Sequence, residues 1–388
     1  MGRSLLMIPG PIEFEPDVLL AMARKTDSHV APDFIDCFGR VLRNLREIFR
    51  APNGQPFVVA GSGTLAMEMA AANLIEAGDR VLLLNTGYFG DRYATMLDRY
   101  GAEVTQLRAA VGSAPSLDEV EAALDAGAYK AMVVTHVDTS TGVRTDAEAL
   151  ARLARERGIL TIFDGVCATA GERFEQAAWG ADIYLTASQK AIGVPPGLAL
   201  LVASERALDA WRRRREPPRS LYLDWAEWLP VMEAYEAGRP SYFGTPPVNL
   251  IYALDVSLRH LLDEGMEAVW ARHRRLAEAA RAAWAALGLR SVAEPGHEAN
   301  TLSALYYPDG VDSTMLKAVA EAGVILAGGL HPDIKTRYFR VGHMGALRAN
   351  DVLATIGAVE QGLIAAGAAI SAGDGLAAAQ RQLATSKR

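Results

Sequence analysis

The sequence predicts an α/β fold, with a large domain built on a mainly parallel sheet and a smaller α+β domain after it. Two observations predict this fold. In the first two-thirds of the chain, short apolar segments such as 80–85 and 159–163 alternate with helix-like segments, which is typical of parallel strands covered on both faces. Beyond Pro246 this alternation gives way to a long helical region, 248–287, and then to mixed helices and strands. The 388 residues are enough for both domains.

The elements of the large domain follow one another as strand and helix. Strands are predicted at residues 55–60, 80–85, 103–107, 130–135, 159–163 and 182–186. Helices are predicted at residues 63–77, 88–100, 116–125 and 146–157. Ser116 and Glu119 have the spacing of a capping box, which marks the start of the third helix. Because ligands of such sheets bind beyond the carboxyl ends of the strands, polar residues at those ends are candidates for a functional site.

The smaller domain is predicted from the segments that follow the long helical region. We expect strands near 301–306 and 338–341, and helices near 313–322 and 350–364. The predicted domain limits are residues 16–264 for the large domain, and residues 1–15 with 265–368 for the small domain. Residues 369–388 are rich in Ala, Gly and Gln and are predicted to be a loosely held tail.

Composition and charge exclude several classes of function. The formal net charge is −7, from 39 basic and 46 acidic side chains, so the chain as a whole does not attract nucleic acid or anionic membranes. The basic run 212–215 is interpreted as a solvated helix end, because Glu216 and two prolines follow it. We recognise no membrane span and no signal peptide. With only two cysteines, Cys37 and Cys167, we expect a reducing, cytoplasmic location.

The first candidate site is the sequence Gly-Ser-Gly-Thr at 61–64, between a predicted strand and a predicted helix. Small residues let backbone N–H groups approach an anion, and a helix N-terminus adds a favourable partial charge, so this turn is typical of a phosphate site. The pattern G-x-G-x-x-A from Gly61 to Ala66 also allows a dinucleotide. A dinucleotide site favours an acidic residue at the end of the next strand, where Asn85 stands instead. A tight turn without a ligand is the third interpretation.

Two further candidates, Asp164 and Lys190, follow the predicted strands 159–163 and 182–186. A carboxylate at the end of a buried strand needs a partner charge, and a protonated pyridine nitrogen is such a partner. A lysine beside it can form an imine with an aldehyde cofactor. Alone, Asp164 also fits an Asx turn or a helix cap, and Lys190 also fits an exposed surface position. Together with the phosphate turn, the two residues predict pyridoxal 5′-phosphate.

The order and spacing of several motifs resemble a known enzyme family. The stretches are AGSGTLAMEMA, THVDTSTGV, FDGVCATAG, TASQKAIGVPPGLAL and YFGTPP, and the similarity runs from Pro9-Gly10-Pro11 to the segment 340–345. They resemble the class V aminotransferases of pyridoxal-phosphate fold type I, above all the alanine–glyoxylate, serine–glyoxylate and serine–pyruvate aminotransferases. The resemblance implies a large cofactor-binding domain with a mainly parallel seven-stranded sheet and a smaller C-terminal α+β domain.

The resemblance also implies which residues hold the cofactor. The residues expected at its phosphate are Ser62, Gly63, Thr64 and Gln189. The residues expected at its ring are Phe89, stacked on one face where the family often has Trp, Thr139 at the ring hydroxyl, Asp164 at the ring nitrogen, and Val166 on the opposite face.

Further roles implied by the resemblance concern the substrate and a second subunit. Arg340 is expected to bind the substrate carboxylate, since a planar guanidinium fits two oxygens, and Gly10 is expected beside the substrate. Tyr242 and Thr245 are expected to reach the phosphate in the neighbouring subunit, so the active unit would be a homodimer.

The function implied is transamination between a small amino acid, alanine or serine, and a small 2-oxo acid, glyoxylate or pyruvate. Lys190 would form the imine with the cofactor and then carry the proton as general base and acid. Aspartate–glyoxylate, ureidoglycine–glyoxylate and pyridoxamine–pyruvate aminotransferases are the alternatives within the family. The phosphate turn argues against the last of these, because a relative of that type uses free pyridoxamine without a bound phosphate cofactor.

Other classes fit the sequence less well. A non-catalytic protein that binds pyridoxal phosphate would not need the intact set of Lys190, Asp164 and Arg340. A NAD-dependent dehydrogenase is separated by absorbance, because a bound imine is yellow and NAD is not. A cysteine desulfurase needs a mobile cysteine near the small domain, and we expect Cys37 and Cys167 to lie far from such a position. His343 is interpreted as structural or pocket-lining because Lys190 already supplies a base. The seven histidines show no metal-ligand spacing, so no metal is predicted.

Overall fold

The computed structural model describes residues 4–385. The strands are β1 (Leu5–Leu6), β2 (Gln55–Ala60), β3 (Arg80–Asn85), β4 (Glu103–Arg108), β5 (Ala131–Thr135), β6 (Leu160–Asp164), β7 (Ile183–Ala187), β8 (Leu198–Ala203), β9 (Leu302–Tyr306), β10 (Val324–Ile325), β11 (Ala327–Gly328) and β12 (Tyr338–Gly342). The α-helices are α1 (Pro16–Met22), α2 (Pro32–Ile48), α3 (Gly63–Leu74), α4 (Tyr88–Arg99), α5 (Leu117–Ala126), α6 (Ala147–Glu156), α7 (Gln176–Trp179), α8 (Glu205–Arg212), α9 (Trp225–Glu236), α10 (Val248–Glu264), α11 (Met266–Ala286), α12 (Met315–Glu321), α13 (Ala349–Ala365) and α14 (Asp374–Thr385).

The large sheet has seven strands in the order β2-β8-β7-β6-β5-β3-β4. Strands β3 to β7 pair in parallel, whereas β8 runs antiparallel to both of its neighbours, β2 and β7. The predicted α/β fold with a mainly parallel seven-stranded sheet is confirmed. No strand was predicted at β8, because a short apolar run has no periodicity that separates a buried strand from a buried helix.

Neighbouring parallel strands bring three chain segments to one edge of the sheet. In the register of the sheet, Thr135 at the end of β5 lies opposite Asp164 at the end of β6, and Asp164 lies opposite Leu185 in β7. The strands are buried along their whole length, which explains their continuous apolar sequences. The segments that follow β5, β6 and β7 therefore leave the sheet side by side, where ligands of such sheets bind.

The C-terminal part contains a three-stranded antiparallel sheet, β11-β12-β9, and helices α12 to α14. Leu276 of α11, Phe339 of β12 and Ile356 of α13 belong to a second apolar core, separate from that of the large sheet. The predicted helical region 248–287 is two helices, because the chain bends at Gly265, where φ is +84°. The predicted limits of the two domains stay a prediction.

The N-terminal segment connects the C-terminal part to the edge of the large sheet. Leu5 and Leu6 pair in parallel with Val324 and Ile325 of β10. A few residues later, the backbone N–H of Ile12 donates to the carbonyl of Gln189, in the segment that follows β7. The N-terminal segment therefore places Gly10 at the carboxyl ends of the strands of the large sheet.

The expectation of a loosely held tail is wrong for residues 374–385, which form helix α14. Ala379 and Leu383 lie in the second apolar core, where α14 packs against α11. The carboxylate of Glu360 in α13 accepts hydrogen bonds from the backbone N–H groups of Gly373 and Gly375, at 3.0 and 2.8 Å. A carboxylate from another helix thus accepts hydrogen bonds from the free N–H groups at the start of α14. The sequence next to α14 contains no residue that would predict this contact. Within residues 4–385, no helix is both long and apolar enough to cross a membrane.

Candidate active site

A cavity of about 230 Å³ lies at the carboxyl ends of β5, β6 and β7. Its lining residues are Gly10, Ser62, Gly63, Thr64, Met67, Phe89, Arg92, Val137, Thr139, Asp164, Val166, Cys167, Gln189 and Lys190. Most of the residues predicted for the functional site are therefore brought together around one space. Tyr242, Thr245 and Arg340 are the predicted residues that do not line it.

The turn at 61–64 forms one wall of the cavity. Helix α3 begins at Gly63, and its N-cap residue Ser62 makes no capping hydrogen bond through its side chain, so the first N–H groups of the helix are open to a ligand. A Cβ atom at Gly63 would lie 2.7 Å from Cγ2 of Val166, so only glycine allows this close approach. The buried Oε1 atom of Gln189 has no hydrogen-bond partner within residues 4–385. An anionic group with several oxygens fits the open N–H donors of α3, whereas Oε1 of Gln189 is an acceptor and would need a donor.

Phe89 is held in the cavity by the loop that follows β5. The backbone N–H of Phe89 donates to Oδ2 of Asp138, and that of Tyr88 donates to Oγ of Ser140, each at 3.1 Å. Ser140 also donates through Oγ to Oδ1 of Asp138, at 2.5 Å. Asp138 is fully buried, and burial raises the pKa of its carboxyl. Sequence reasoning missed Asp138, although it belongs to the stretch THVDTSTGV.

Asp164 is the last residue of β6 and is only 2 % exposed. Burial raises the pKa of its carboxyl to about 6, against a smaller opposing effect of the hydrogen bond that Val166 N–H donates to Oδ1, at 2.9 Å. No Lys, Arg or His nitrogen of the described chain lies within ion-pair distance of this carboxylate. A protonated ring nitrogen in the cavity would supply the missing positive charge.

Lys190 follows β7 and is 7 % exposed. Its Nζ atom donates a hydrogen bond to the backbone carbonyl of Pro9. Burial lowers the pKa of the Lys190 ammonium, which favours the neutral amine that a nucleophile or base requires. Gly10 lies directly against this side chain: its φ is +98°, and a Cβ atom there would lie 2.5 Å from Cδ of Lys190. The N-terminal segment therefore packs against the lysine through the one residue type that leaves it room.

The three predicted residues outside the cavity differ in position. Arg340 lies at its edge, where Nε donates to the carbonyl of Gly328 at 2.9 Å and Nη1 to that of Thr139 at 3.2 Å, and burial lowers its pKa. Tyr242 is 61 % exposed, and its hydroxyl lies 3.4 Å from Oγ1 of Thr245. The structure thus connects Arg340 to the cavity through Thr139, and does not bring Tyr242 or Thr245 to the cavity of their own chain.

Sequence reasoning missed several residues that line the cavity. Arg92 lies three residues after Phe89, so the two share one face of α4, which is the signal that could have found it. Cys167 also lines the cavity, and its Sγ lies 3.9 Å from Oγ1 of Thr301, just before β9. The expectation that Cys167 lies far from the C-terminal part is therefore wrong, because the segment after β6 packs against the start of β9.

His343 has a structural position. Its Nε2 lies 3.0 Å from Oγ of Ser303, and its Nδ1 lies 3.0 Å from the carbonyl oxygen of Asn300. Burial lowers the pKa of His343 to about 3, so the ring is neutral at physiological pH. Among residues 4–385, no group of His, Cys, Asp and Glu has the geometry of a metal site.

The family model for aminotransferase class-V matches residues 19–350. The chain belongs to the class-V aminotransferases. It is 39 % identical to alanine–glyoxylate aminotransferase 1 of Saccharomyces cerevisiae, over 89 % of this chain and 93 % of that protein. It is 31 % identical to serine–glyoxylate aminotransferase of Methylorubrum extorquens, over 98 % of this chain and 96 % of that protein.

The solved structure of pyridoxamine–pyruvate aminotransferase from Mesorhizobium loti superposes on this aminotransferase with a TM-score of 0.93. The two are 29 % identical, and the match covers 99 % of this chain and 98 % of that one. The predicted family and the fold type are thus confirmed. The protein is an aminotransferase that uses pyridoxal 5′-phosphate, and this membership selects that cofactor over the dinucleotide interpretation of residues 61–66.

Proposed function

We propose that this aminotransferase moves the amino group between alanine or serine and glyoxylate or pyruvate. The observation that carries the proposal is the single cavity in which the amine of Lys190, the carboxylate of Asp164 and the N-terminus of α3 meet. The names of the yeast and Methylorubrum relatives support the choice of substrates. A cavity of about 230 Å³ that also holds the cofactor favours small substrates.

We propose that the cofactor is held by two groups of residues. The phosphate group would bind to the N-terminus of α3 and its neighbours, which are Ser62, Gly63, Thr64 and Gln189. The ring would lie between Phe89 and Val166, with Thr139 at its hydroxyl and Asp164 at its nitrogen. When bound, pyridoxal phosphate supplies an electron-withdrawing ring that stabilises negative charge at the substrate Cα.

The proton would be moved by Lys190. Its Nζ atom takes a proton from the substrate Cα and later returns one, and burial, which lowers its pKa, favours the neutral amine that can act as a base. The Pro9 carbonyl accepts a hydrogen bond from Nζ and so orients the amine. Asp164 holds a proton on the ring nitrogen, because its buried carboxylate gains a partner only when that nitrogen is charged.

The substrate carboxylate would bind to Arg340. The carbonyls of Gly328 and Thr139 hold Nε and Nη1 of its guanidinium, which fixes the orientation of the group at the edge of the cavity. Arg92 is the only arginine among the described residues that line the cavity, and it already donates a hydrogen bond to Thr64. That arrangement favours donors without a second carboxylate over aspartate.

The test is the visible absorbance of the purified protein with alanine, serine, aspartate and ethylamine added in turn. Alanine or serine is expected to deplete the band of lysine-bound pyridoxal phosphate, and glyoxylate to restore it. Aspartate should react at least about tenfold more slowly, and ethylamine, which lacks the carboxylate for Arg340, more slowly still. Preference for aspartate, or for free pyridoxamine with pyruvate, would replace the proposed substrates. The absence of a band after addition of pyridoxal phosphate would overturn the cofactor site itself.

We also propose that the active unit is a homodimer in which Tyr242 and Thr245 complete the phosphate site of the neighbouring subunit. The support is their position: Tyr242 is a large side chain that is 61 % exposed, and both hydroxyls lie away from their own cavity. A solvent-exposed aromatic ring with a neighbouring hydroxyl is typical of a contact surface.

Mixed dimers test this arrangement. Subunits with Lys190→Ala and subunits with Tyr242→Ala and Thr245→Ala should each be poorly active alone. In a dimer of the two kinds, one site has an intact lysine and receives intact Tyr242 and Thr245, so an equal mixture should recover about a quarter of wild-type activity. If the two hydroxyls serve their own subunit, no mixed site is intact and mixing recovers nothing. Different affinity tags on the two kinds of subunit, with purification over both tags in turn, check that the mixed dimers form.

A further inference from the structure

Arg92 occupies a defined place beside the proposed phosphate site. It lies on α4, and its Nη1 donates to Oγ1 of Thr64 at 2.8 Å. The guanidinium carbon lies 4.9 Å from the ring centroid of Phe89 and 5.2 Å from that of Tyr88. The two rings and the hydrogen bond hold the guanidinium at the wall of the cavity, next to the first turn of α3.

Among residues 4–385, no carboxylate lies within ion-pair distance of Arg92, although its charge acts at longer range on Asp164. The neighbouring acid, Asp91, forms its ion pair with Arg108 instead. Arg92 is partly buried, and a partly buried cation without a counter-ion costs free energy. A phosphate group at the N-terminus of α3 would offset that cost, because it carries negative charge close to the guanidinium.

The hydrogen bond to Thr64 also determines how that hydroxyl can act. A threonine hydroxyl has one proton to donate and two lone pairs that accept. Arg92 can only donate, so it occupies a lone pair of Oγ1 and leaves the hydroxyl proton for another acceptor. Thr64 is the second residue of α3, beside the open N–H groups of the first turn. Its proton is therefore available to the same anion as the helix N-terminus.

We propose that Arg92 is a positioning residue for the cofactor phosphate: it holds Thr64 so that the hydroxyl donates to the phosphate, and its own charge lies beside the phosphate. The inference rests on the cofactor site proposed above and adds to it a selection for the phosphorylated cofactor. Free pyridoxal or pyridoxamine would leave the Arg92 charge and the Thr64 proton without their partner.

The experiment compares pyridoxal phosphate with pyridoxal, which lacks the phosphate, in titrations of the apoprotein followed by absorbance and fluorescence. Arg92→Gln is expected to raise the Kd for pyridoxal phosphate roughly 10- to 100-fold, the loss expected for a hydrogen bond to a charged group. The Kd for pyridoxal should change less than about threefold, because pyridoxal makes no contact with this charge. Arg92→Lys, which keeps the charge without the planar fork, should lie in between. Arg99→Gln, at the exposed end of the same helix, is the matched control and should change neither Kd.

A double variant that combines Arg92→Gln with Thr64→Val separates the effect of the Arg92 charge from the effect of holding the Thr64 hydroxyl in place. Because Arg92 acts partly through Thr64, the two losses should be less than additive. Full additivity would overturn the positioning role. Equal weakening of pyridoxal and pyridoxal phosphate, in folded variants with unchanged Tm, would show that Arg92 acts through the ring of Phe89 and would overturn the inference alone. Failure of the wild-type protein to bind pyridoxal phosphate would overturn the proposed cofactor site and the inference together.

Discussion

Replacing Lys190 with alanine is expected to lower the rate of transamination by about 10⁴-fold or more and to abolish the visible band of the bound cofactor. A positioned general base contributes up to about 10⁴-fold, and the variant also loses the amine that holds the cofactor covalently. Among the described residues that line the cavity, Lys190 is the only lysine, so no neighbour can replace it. Single-turnover rates and absorbance spectra of the purified variant measure both effects.

Lys130→Ala is the matched control for this change. Lys130 is also a partly buried lysine, with its Nζ 2.6 Å from Oδ2 of Asp79, but it lies just before β5, at the opposite end of the strands from the cavity. Its loss should lower stability and leave the visible band and the rate unchanged. Turnover at the normal rate in the Lys190 variant, or a band that persists there, would mean that another amine forms the bond to the cofactor.

Replacing Asp164 with asparagine is expected to have opposite effects on activity and on stability. The rate should fall about 10²- to 10³-fold, because asparagine cannot hold a proton on the ring nitrogen through a negative charge. Asparagine keeps the size of the side chain and can still accept the hydrogen bond from Val166 N–H. The loss of rate therefore reports the charge of Asp164 rather than a change of shape.

The apoprotein with Asp164→Asn should be more stable than the wild type above about pH 6. Burial raises the pKa of Asp164 from 3.8 to about 6 in the folded chain, so between these values the folded state binds more protons than the unfolded state. The free energy of unfolding that this carboxyl contributes thus falls as pH rises through that window. Removing the charge should add about 1–3 kcal/mol near pH 8, and little near pH 4.

Urea unfolding of the apoprotein at both pH values measures the stability effect. Asp138→Asn is the contrasting control: this carboxylate is also buried, but it accepts hydrogen bonds from Phe89 N–H and from Ser140, which an amide group cannot fully replace. That variant should lose stability at both pH values. An Asp164 variant with the wild-type rate, or one that gains no stability near pH 8, would contradict the role assigned to the carboxylate.

Much of the fold could be predicted because the signals are local. Most strands of the large sheet are continuous apolar segments bounded by glycine or helix signals, and the predicted strand limits agree with the structure to within a residue or two. β8 escaped prediction because its apolar run resembles either kind of element. The C-terminal helix α14 was not predicted, because the N–H groups at its start donate to Glu360, a residue of another helix.

The sequence by itself determined the order of strands and helices, and with it the meeting of Asp164 and Lys190. Parallel strands joined by crossover connections must place their carboxyl ends at one edge, so residues that follow those strands come together whatever the details of packing. The small residues at 61–64 likewise predict a phosphate site from local chemistry alone.

Only the tertiary structure decided which side chains complete the site. The contact of Gly10 with Lys190, the hydrogen bond from Arg340 to the Thr139 carbonyl and the approach of Cys167 to Thr301 each join segments more than a hundred residues apart. Such contacts depend on how the N-terminal segment and the C-terminal part pack on the sheet, and packing has no periodic signature in the chain. Local sequence determines which residues stand at the carboxyl end of each strand. The fold as a whole determines which residues lie opposite them across the cavity.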